Sequence, residues 1–352
     1  MASLMDYLTR AAQEGASDLF IVPGARISIK REGQIVPVED GKIMPSSGEE
    51  LIGEIYALAG REMEEFRRTG DDDFSFSVAG LARFRVNTYK QRGSCAAVIR
   101  VVAFDIPDWR RLHIPQQVMD LAELTGGMVL VTGTAGSGKS TTLACLVDRI
   151  NRERACHIIT LEDPIEFLHR NQKSIVSQRE IAVDTADCLS ALRACLRQAP
   201  DVIQLGEMRD LDTIRTAMTA AETGHLVLGT LHTRGAVNSI DRMIDAFPAD
   251  QQDQIRIQLS AVLRTVVSQQ LLPDVDGGLV PAFEIMHMNG AIRSMIRDRK
   301  NHQIAAAIAA GGAQGMISMD QSVLTLVQSG RITRQTALEY ADNPEQMGRR
   351  LG

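Results

Sequence analysis

Lysine is scarce in this chain. Of 38 basic residues only six are lysines: Lys30, Lys42, Lys90, Lys139, Lys173 and Lys300. A lysine that carries chemistry therefore stands out against an arginine background. Long apolar runs are missing too. The longest, Ile304 to Ala310, has seven residues and is mostly alanine, far short of the ~20 that span a bilayer. The opening MASLMDYLTR has no basic stretch followed by an apolar one, so no secretory signal is read there. Five cysteines (Cys95, Cys145, Cys156, Cys188 and Cys195) form no CxxC pair and are odd in number. They suit reduced thiols in a cytoplasm better than a disulfide framework or a zinc site. A net charge of −6 without any Lys/Arg run argues against a nucleic-acid motor and against an anionic membrane surface.

What is present reads as a folded chain of two or three domains. There are 352 residues, 44% of them apolar and 23% charged. An amphipathic opening (Leu4, Leu8, Ala11, Ala12) leads to short runs at 19–22, 27–29 and 35–38. A helix is expected over Gly48 to Phe66, starting after Ser46 and Ser47, and then strands at 74–78, 82–89 and 97–104. The connector Asp105 to Pro115 has two prolines and little periodicity. We therefore read a first domain over 1–104, a linker over 105–118 and a second domain over 119–352.

In the second domain, apolar runs at 128–132, 157–161, 202–205 and 226–231 alternate with helical segments. That pattern predicts an α/β fold with a parallel sheet covered on both faces. From about Asp250 the chain reads as mostly helical, with one strand at 283–288 and a helix end plus turn over 305–315.

Gly133-Thr134-Ala135-Gly136-Ser137-Gly138-Lys139-Ser140, followed by Thr141, fits GxxxxGK[ST]. Glycines let the backbone curl so that its N–H groups point at a phosphate chain. Lys139 adds a point charge for the outer phosphates, and the Ser140 hydroxyl ligates Mg2+. An apolar strand before the loop and a helix after it supply the required context. Two apolar strands end in acids, one in Glu162-Asp163 with Glu166 close behind, the other in Gly206-Glu207. Both sets fit a site beyond the carboxyl ends of parallel strands. Asp163 and Glu166 fit equally well as solvated turn residues. Glu207 stands alone after a glycine, and its longer side chain suggests that Mg2+ is reached through water. His225 and His232 frame the next strand, about 23 Å apart if it is extended, too far for one metal. His232 is placed to report on the γ-phosphate, whereas His225 is placed for a structural or subunit contact.

The segments GTAGSGKSTT, TLEDPIEF, RQAPDVIQLGEMRD and TGHLVLGTLHT, in this order, resemble the secretion ATPase superfamily and, within it, the PilT-type retraction ATPases of type IV pili. The resemblance extends to Gly15-Ala-Ser-Asp-Leu, Ala82-Arg-Phe-Arg-Val-Asn and the tail from Met319 through Pro344. It implies a PAS-like N-terminal domain, a RecA-like ATPase domain with a helical C-terminal part, and a homo-hexamer that binds ATP with Mg2+. It also implies a cytoplasmic motor at the inner-membrane base of the pilus, acting on the platform protein there and on no nucleic acid. An accessory retraction ATPase, or a related secretion or DNA-uptake ATPase, is the alternative. By position, the resemblance makes Glu162 the catalytic glutamate and Glu207 the variant Walker B acid. His225 and His232 become a histidine box at the nucleotide site, and Arg83, Arg85 and Arg100 the arginine fingers. Ala291 to Arg297 resembles the AIRNLIRE segment of the type. There Ile292, Met295 and Ile296 form an apolar stripe, and Arg293 and Arg297 are expected to project together toward a partner. Gln204 departs from the usually apolar strand before Gly206.

Overall fold

The computed structural model describes residues 3–31, 33–102 and 106–352. The last part of the strand expected over 97–104, and the boundary at 104/105, fall on 103–105, outside the described residues. The chain divides into two compact units. The first runs to Asp105 and includes Glu166–Leu168; the second holds Ile106–Ile165 and His169–Gly352.

In the first unit a helix over Leu4–Gln13 is started by a capping box between Ser3 and Asp6. Six antiparallel strands follow in the spatial order β3-β2-β1-β6-β5-β4. They are β1 (Asp18–Ile21), β2 (Arg26–Arg31), β3 (Gln34–Lys42), β4 (Asp71–Val78), β5 (Ala82–Gln91) and β6 (Ser94–Val102). Along β5 the alternation is regular. Ala82, Phe84, Val86 and Thr88 are buried, which turns Arg83, Arg85 and Asn87 to the other face. The helix expected over Gly48 to Phe66 is two helices, Pro45–Ala59 and Glu64–Thr69. Proline opens the first and left-handed Gly60 ends it, so Ser46 and Ser47 lie inside the helix rather than before it.

The second unit is built on seven strands in the order β13-β12-β7-β11-β10-β8-β9. They are β7 (Gly127–Thr132), β8 (His157–Glu162), β9 (Ile175–Glu180), β10 (Val202–Leu205), β11 (Leu226–Leu231), β12 (Leu263–Pro273) and β13 (Leu279–His287). All neighbours are parallel except the β12–β13 pair. Alternate residues of β7 enter cores on opposite faces, Met128 and Leu130 on one side and Val129 and Val131 on the other. That explains why the central strands read as unbroken apolar runs. A third core joins Leu272, Val280 and Ala282 to the C-terminal helices through Val323, Leu324, Ala337 and Met347.

Two expectations fail here. Residues 263–273 form a strand where helix was expected, and it follows the helix Gln252–Val262 with no turn residue between them. The segment read as a linker is not a free connector from Ile106 on. Ile114 and Val118 are buried, Ile106, Trp109 and Leu112 pack against the same core, and Gln116–Met119 is helical. Apolar side chains can bury without periodicity when the segment lies across a core rather than along it. All five cysteines are free. No helix among the described residues is long and apolar enough to cross a membrane.

Candidate nucleotide site

Strand β7 ends at Thr132 and runs through Gly133–Gly138 into the helix Lys139–Glu153. Gly133 and Gly138 have φ of 143° and 87°, and neither has room for a side chain. A Cβ on Gly133 would lie 2.3 Å from the Gln269 carbonyl oxygen, and one on Gly138 2.7 Å from Gln269 Nε2. The loop is thus pressed against β12. No side chain caps the helix at Gly138, an arrangement in which first-turn N–H groups suit an anion. Lys139 is buried, and its Nζ donates to the Gly133 and Thr134 carbonyls at 2.9 and 2.8 Å. This stations its charge over the loop. Thr134, Ala135, Gly136 and Ser140 are exposed, Thr141 is half-buried and Ser137 is buried.

The parallel neighbours β7, β11, β10 and β8 carry the other expected residues at the same sheet edge. Glu162, the last residue of β8, is buried. Its Oε1 accepts from Thr160 Oγ1 at 2.6 Å and from Gln178 Nε2 at 3.1 Å. The Gln178 amide oxygen in turn accepts the His169 N–H at 2.8 Å, so one side chain on β9 ties the glutamate to the main chain beyond it. Burial pushes the His169 imidazole down to about 4. Asp163 and Glu166 are exposed.

Beyond β10, the close approach of Gly206 to β8 is set by its own N–H, which donates to the Leu161 carbonyl at 2.7 Å. Thr230 Oγ1 donates to the Gly206 carbonyl from the β11 side. This fixes Glu207, whose Oε2 accepts from Arg209 Nε at 2.6 Å and lies 3.2 Å from His232 Nε2. The hydrogen bond to Glu207 pushes the Arg209 guanidinium further up. Glu207 and His232, expected separately, are therefore one cluster. Gln204 is buried within β10, and its Oε1 has no hydrogen-bond partner among the described residues.

His225 is not brought to the loop. It precedes β11, at the other end of the strand from His232, and its carbonyl accepts the N–H of Gly127, the first residue of β7. Its Nδ1 lies 2.9 Å from the Ala220 carbonyl and 3.1 Å from Thr223 Oγ1, which closes the end of the helix Leu211–Glu222. Within one chain it serves that helix, so the expected place at the nucleotide is corrected.

Arg83, Arg85 and Arg100 belong to the first unit's sheet. Arg85 stands opposite Arg100 across β5 and β6, over a hollow also lined by Asp18, Asp73 and Asn87. Arg100 Nε donates to Asp18 Oδ1 at 3.1 Å, and Arg83 Nη1 lies 3.4 Å from Ser77 Oγ.

Arg293 and Arg297 do not act as a matched pair. Arg297 is exposed. Arg293 Nη1 donates to the carbonyls of Ser260 and Ala261, at the end of the helix Gln252–Val262. Burial, then the charges of Arg264 and Arg297, push its guanidinium down. Its first task is to close that helix.

The residues sequence reasoning missed are Thr142, Thr160, Gln178, Arg209 and Gln269. Arg209 sits two residues after Glu207 and was within reach of inspection. Gln178 and Gln269 lie on β9 and β12, strands without a clear sequence signal. Among the described residues no group of three or more His, Cys, Asp or Glu is placed to hold a metal ion. The donor set of Ser140 with Glu207 suits Mg2+, which keeps several waters and takes few protein ligands beside substrate phosphates.

Residues 1–278 match the family model described as Type II/IV secretion system protein. The type IV pilus retraction ATPase PilT of Pseudomonas aeruginosa is 42% identical over 343 residues, covering 97% of this chain and 99% of its own. A twitching motility protein of Neisseria gonorrhoeae is 43% identical over 307 residues, 86% of this chain and 82% of its own. The crystal structure of the pilus retraction motor PilT with bound ADP superimposes with a TM-score of 0.90 at 41% identity, covering 99% of this chain and all of that one.

Proposed function

The chain belongs to the type II/IV secretion system protein family, and on that premise we propose that it is a hexameric, Mg2+-dependent ATPase that powers retraction of type IV pili. The observation that carries this reading is the convergence of Lys139, Glu162, Glu207 and His232 on one sheet edge, in a chain similar over nearly its whole length to a pilus retraction ATPase. Phosphoryl transfer needs charge neutralisation and an oriented water more than covalent chemistry. The loop N–H groups and Lys139 hold the phosphates. Glu162, kept in place by Thr160 and Gln178, accepts the proton of the attacking water. His232 senses the γ-phosphate through its contact with Glu207. Ser140, with Glu207 through water, would hold Mg2+, which would supply charge neutralisation to the phosphates.

Arg83, Arg85 and Arg100 are assigned to the phosphates bound by a neighbouring copy, so activity depends on assembly. The partner is the platform protein at the inner-membrane base of the pilus. No nucleic acid is involved, in keeping with the acidic balance of the chain. Phosphate release measured across a dilution series tests the shared site. Specific activity should fall as rings dissociate, and activity independent of concentration overturns it. Restored twitching in a host lacking its retraction ATPase tests the motor role, and a host that stays non-motile while the protein hydrolyses ATP overturns that part.

A further inference from the structure

Gln269 lies on β12 one residue past Ser268, which pairs with Thr132, the last residue of β7. It therefore stands beside the point where the phosphate loop begins. Only 3% of it is exposed, and it meets the loop and the helix that follows it in three places. Its carbonyl oxygen occupies the space a side chain on Gly133 would need, and its Nε2 does the same at Gly138. Its Oε1 accepts from Thr142 Oγ1 at 2.7 Å. Thr142 is itself buried, so water does not compete for this bond. One residue thus meets the first glycine with its backbone carbonyl, and the last glycine and the first turn of the helix with its side chain. Its backbone pairs with Phe283 of β13, whose N–H donates to Ser322 Oγ in the C-terminal helices at 3.0 Å. A merely space-filling glutamine would need neither the hydrogen bond to Thr142 nor the fit of its amide against Gly138.

We infer that Gln269 is a positioning residue for the phosphate loop: through Gly133, Gly138 and Thr142 it sets the curvature that aims the loop's N–H groups at the nucleotide phosphates. It does not touch the nucleotide itself. The inference rests on the ATPase reading and deepens it. A preformed loop holds ground state and transition state alike, so loosening it raises KM and leaves kcat nearly unchanged.

The test uses the full chain with Gln269→Met, which keeps length and loses the acceptor, and Thr142→Val, which loses the donor. ADP dissociation constants, KM and kcat for ATP, and the unfolding midpoint without nucleotide are compared. Each variant should raise the ADP dissociation constant and the KM by about tenfold, the worth of one buried hydrogen bond at about 1.4 kcal/mol. The double variant should bind no worse than Gln269→Met alone, because both changes remove the same bond. Should Gln269→Met fail to fold, Thr142→Val alone must still show the rise. Unchanged ADP affinity in a folded variant, or additive losses in the double variant, overturns the positioning role and leaves the ATPase reading standing. An unaltered protein that binds no ADP overturns the ATPase reading, and this inference with it.

Discussion

Replacing Glu162 by glutamine changes one atom of acceptor chemistry and almost nothing of the packing. Thr160 and Gln178 donate to the same oxygen of this side chain, Oε1. A glutamine can present its carbonyl oxygen there and keep both bonds, so the end of β8 should hold its shape. Its NH2 then takes the place of the second carboxylate oxygen, and a proton acceptor becomes a donor. A positioned general base contributes about 10²–10⁴ in rate, or about 2.7–5.4 kcal/mol of barrier at 1.36 kcal/mol per tenfold. Binding should be spared, because β11 and β10 lie between β8 and the loop strand β7. Phosphate release at saturating ATP should therefore fall by at least a hundredfold, with ADP affinity within about twofold of the unaltered protein. Gln178→Leu, which leaves the carboxylate and removes one donor, should cost less in kcat and leave KM alone. Turnover in Glu162→Gln within about threefold of the unaltered rate would refute the assignment of Glu162 as the base.

Two further predictions concern residues outside the nucleotide edge. Arg293→Ala should cost about 1–2 kcal/mol by freeing the helix-end carbonyls of Ser260 and Ala261, lowering the melting temperature by about 2–8 °C. Arg297→Ala should leave stability within about 0.5 kcal/mol, so any loss of retraction with ATP turnover intact belongs to Arg297; equal melting temperatures for the two would contradict the cap. Glu284 is buried and its Oε1 accepts the Ala236 N–H at 2.7 Å, at the start of the helix Ala236–Asp245. Burial first, with Asp342 and Asp320 adding to it and the Ala236 and Met319 N–H groups opposing, holds its carboxyl above the ordinary 4.5. Its protonated form therefore favours the fold, a contribution complete below pH 4.5 and lost as pH rises through the raised native value. Glu284→Gln, neutral throughout, should gain in melting temperature over the parent as pH rises from 4 to 7; a gap that narrows would mean that the ionised form of Glu284 favours the fold. Glu284→Ala removes the acceptor and should cost about 1–2 kcal/mol near pH 4, with the cost shrinking as pH rises.

The nucleotide edge was legible because its signals are local. Glycine spacing and a lysine in a lysine-poor chain mark the loop, and β7, β8, β10 and β11 read as apolar runs because both of their faces are buried. The strands that escaped are those whose polar residues are buried for a purpose. Ser268, Gln269 and Gln270 break the apolar pattern of β12 yet are all buried, and β9 is a half-exposed edge strand carrying Gln178 and Glu180. The spacing of His225 and His232 placed them at opposite strand ends, while likeness to a motif grouped them; the strand geometry prevails. Arg293 was read from its own helix, whereas its partners are carbonyls more than thirty residues upstream. No helical period carries that information.

The five free thiols have a practical consequence for fluorescence work. Burial pushes Cys145 up to about 12 and Cys188 and Cys195 up to about 11, and it raises Cys95 as well. Maleimide and disulfide reagents attack the thiolate, and a thiol at 11 presents roughly one thiolate in ten thousand at pH 7. Cys145, Cys188 and Cys195 should therefore stay silent while an introduced surface cysteine reacts. Cys156, half-buried and 3.2 Å from Ser174 Oγ, is the one to replace first. A single cysteine placed at exposed Arg297 would then carry a donor or acceptor dye on every copy, and the proximity of copies in an assembled ring becomes measurable without rebuilding the native core.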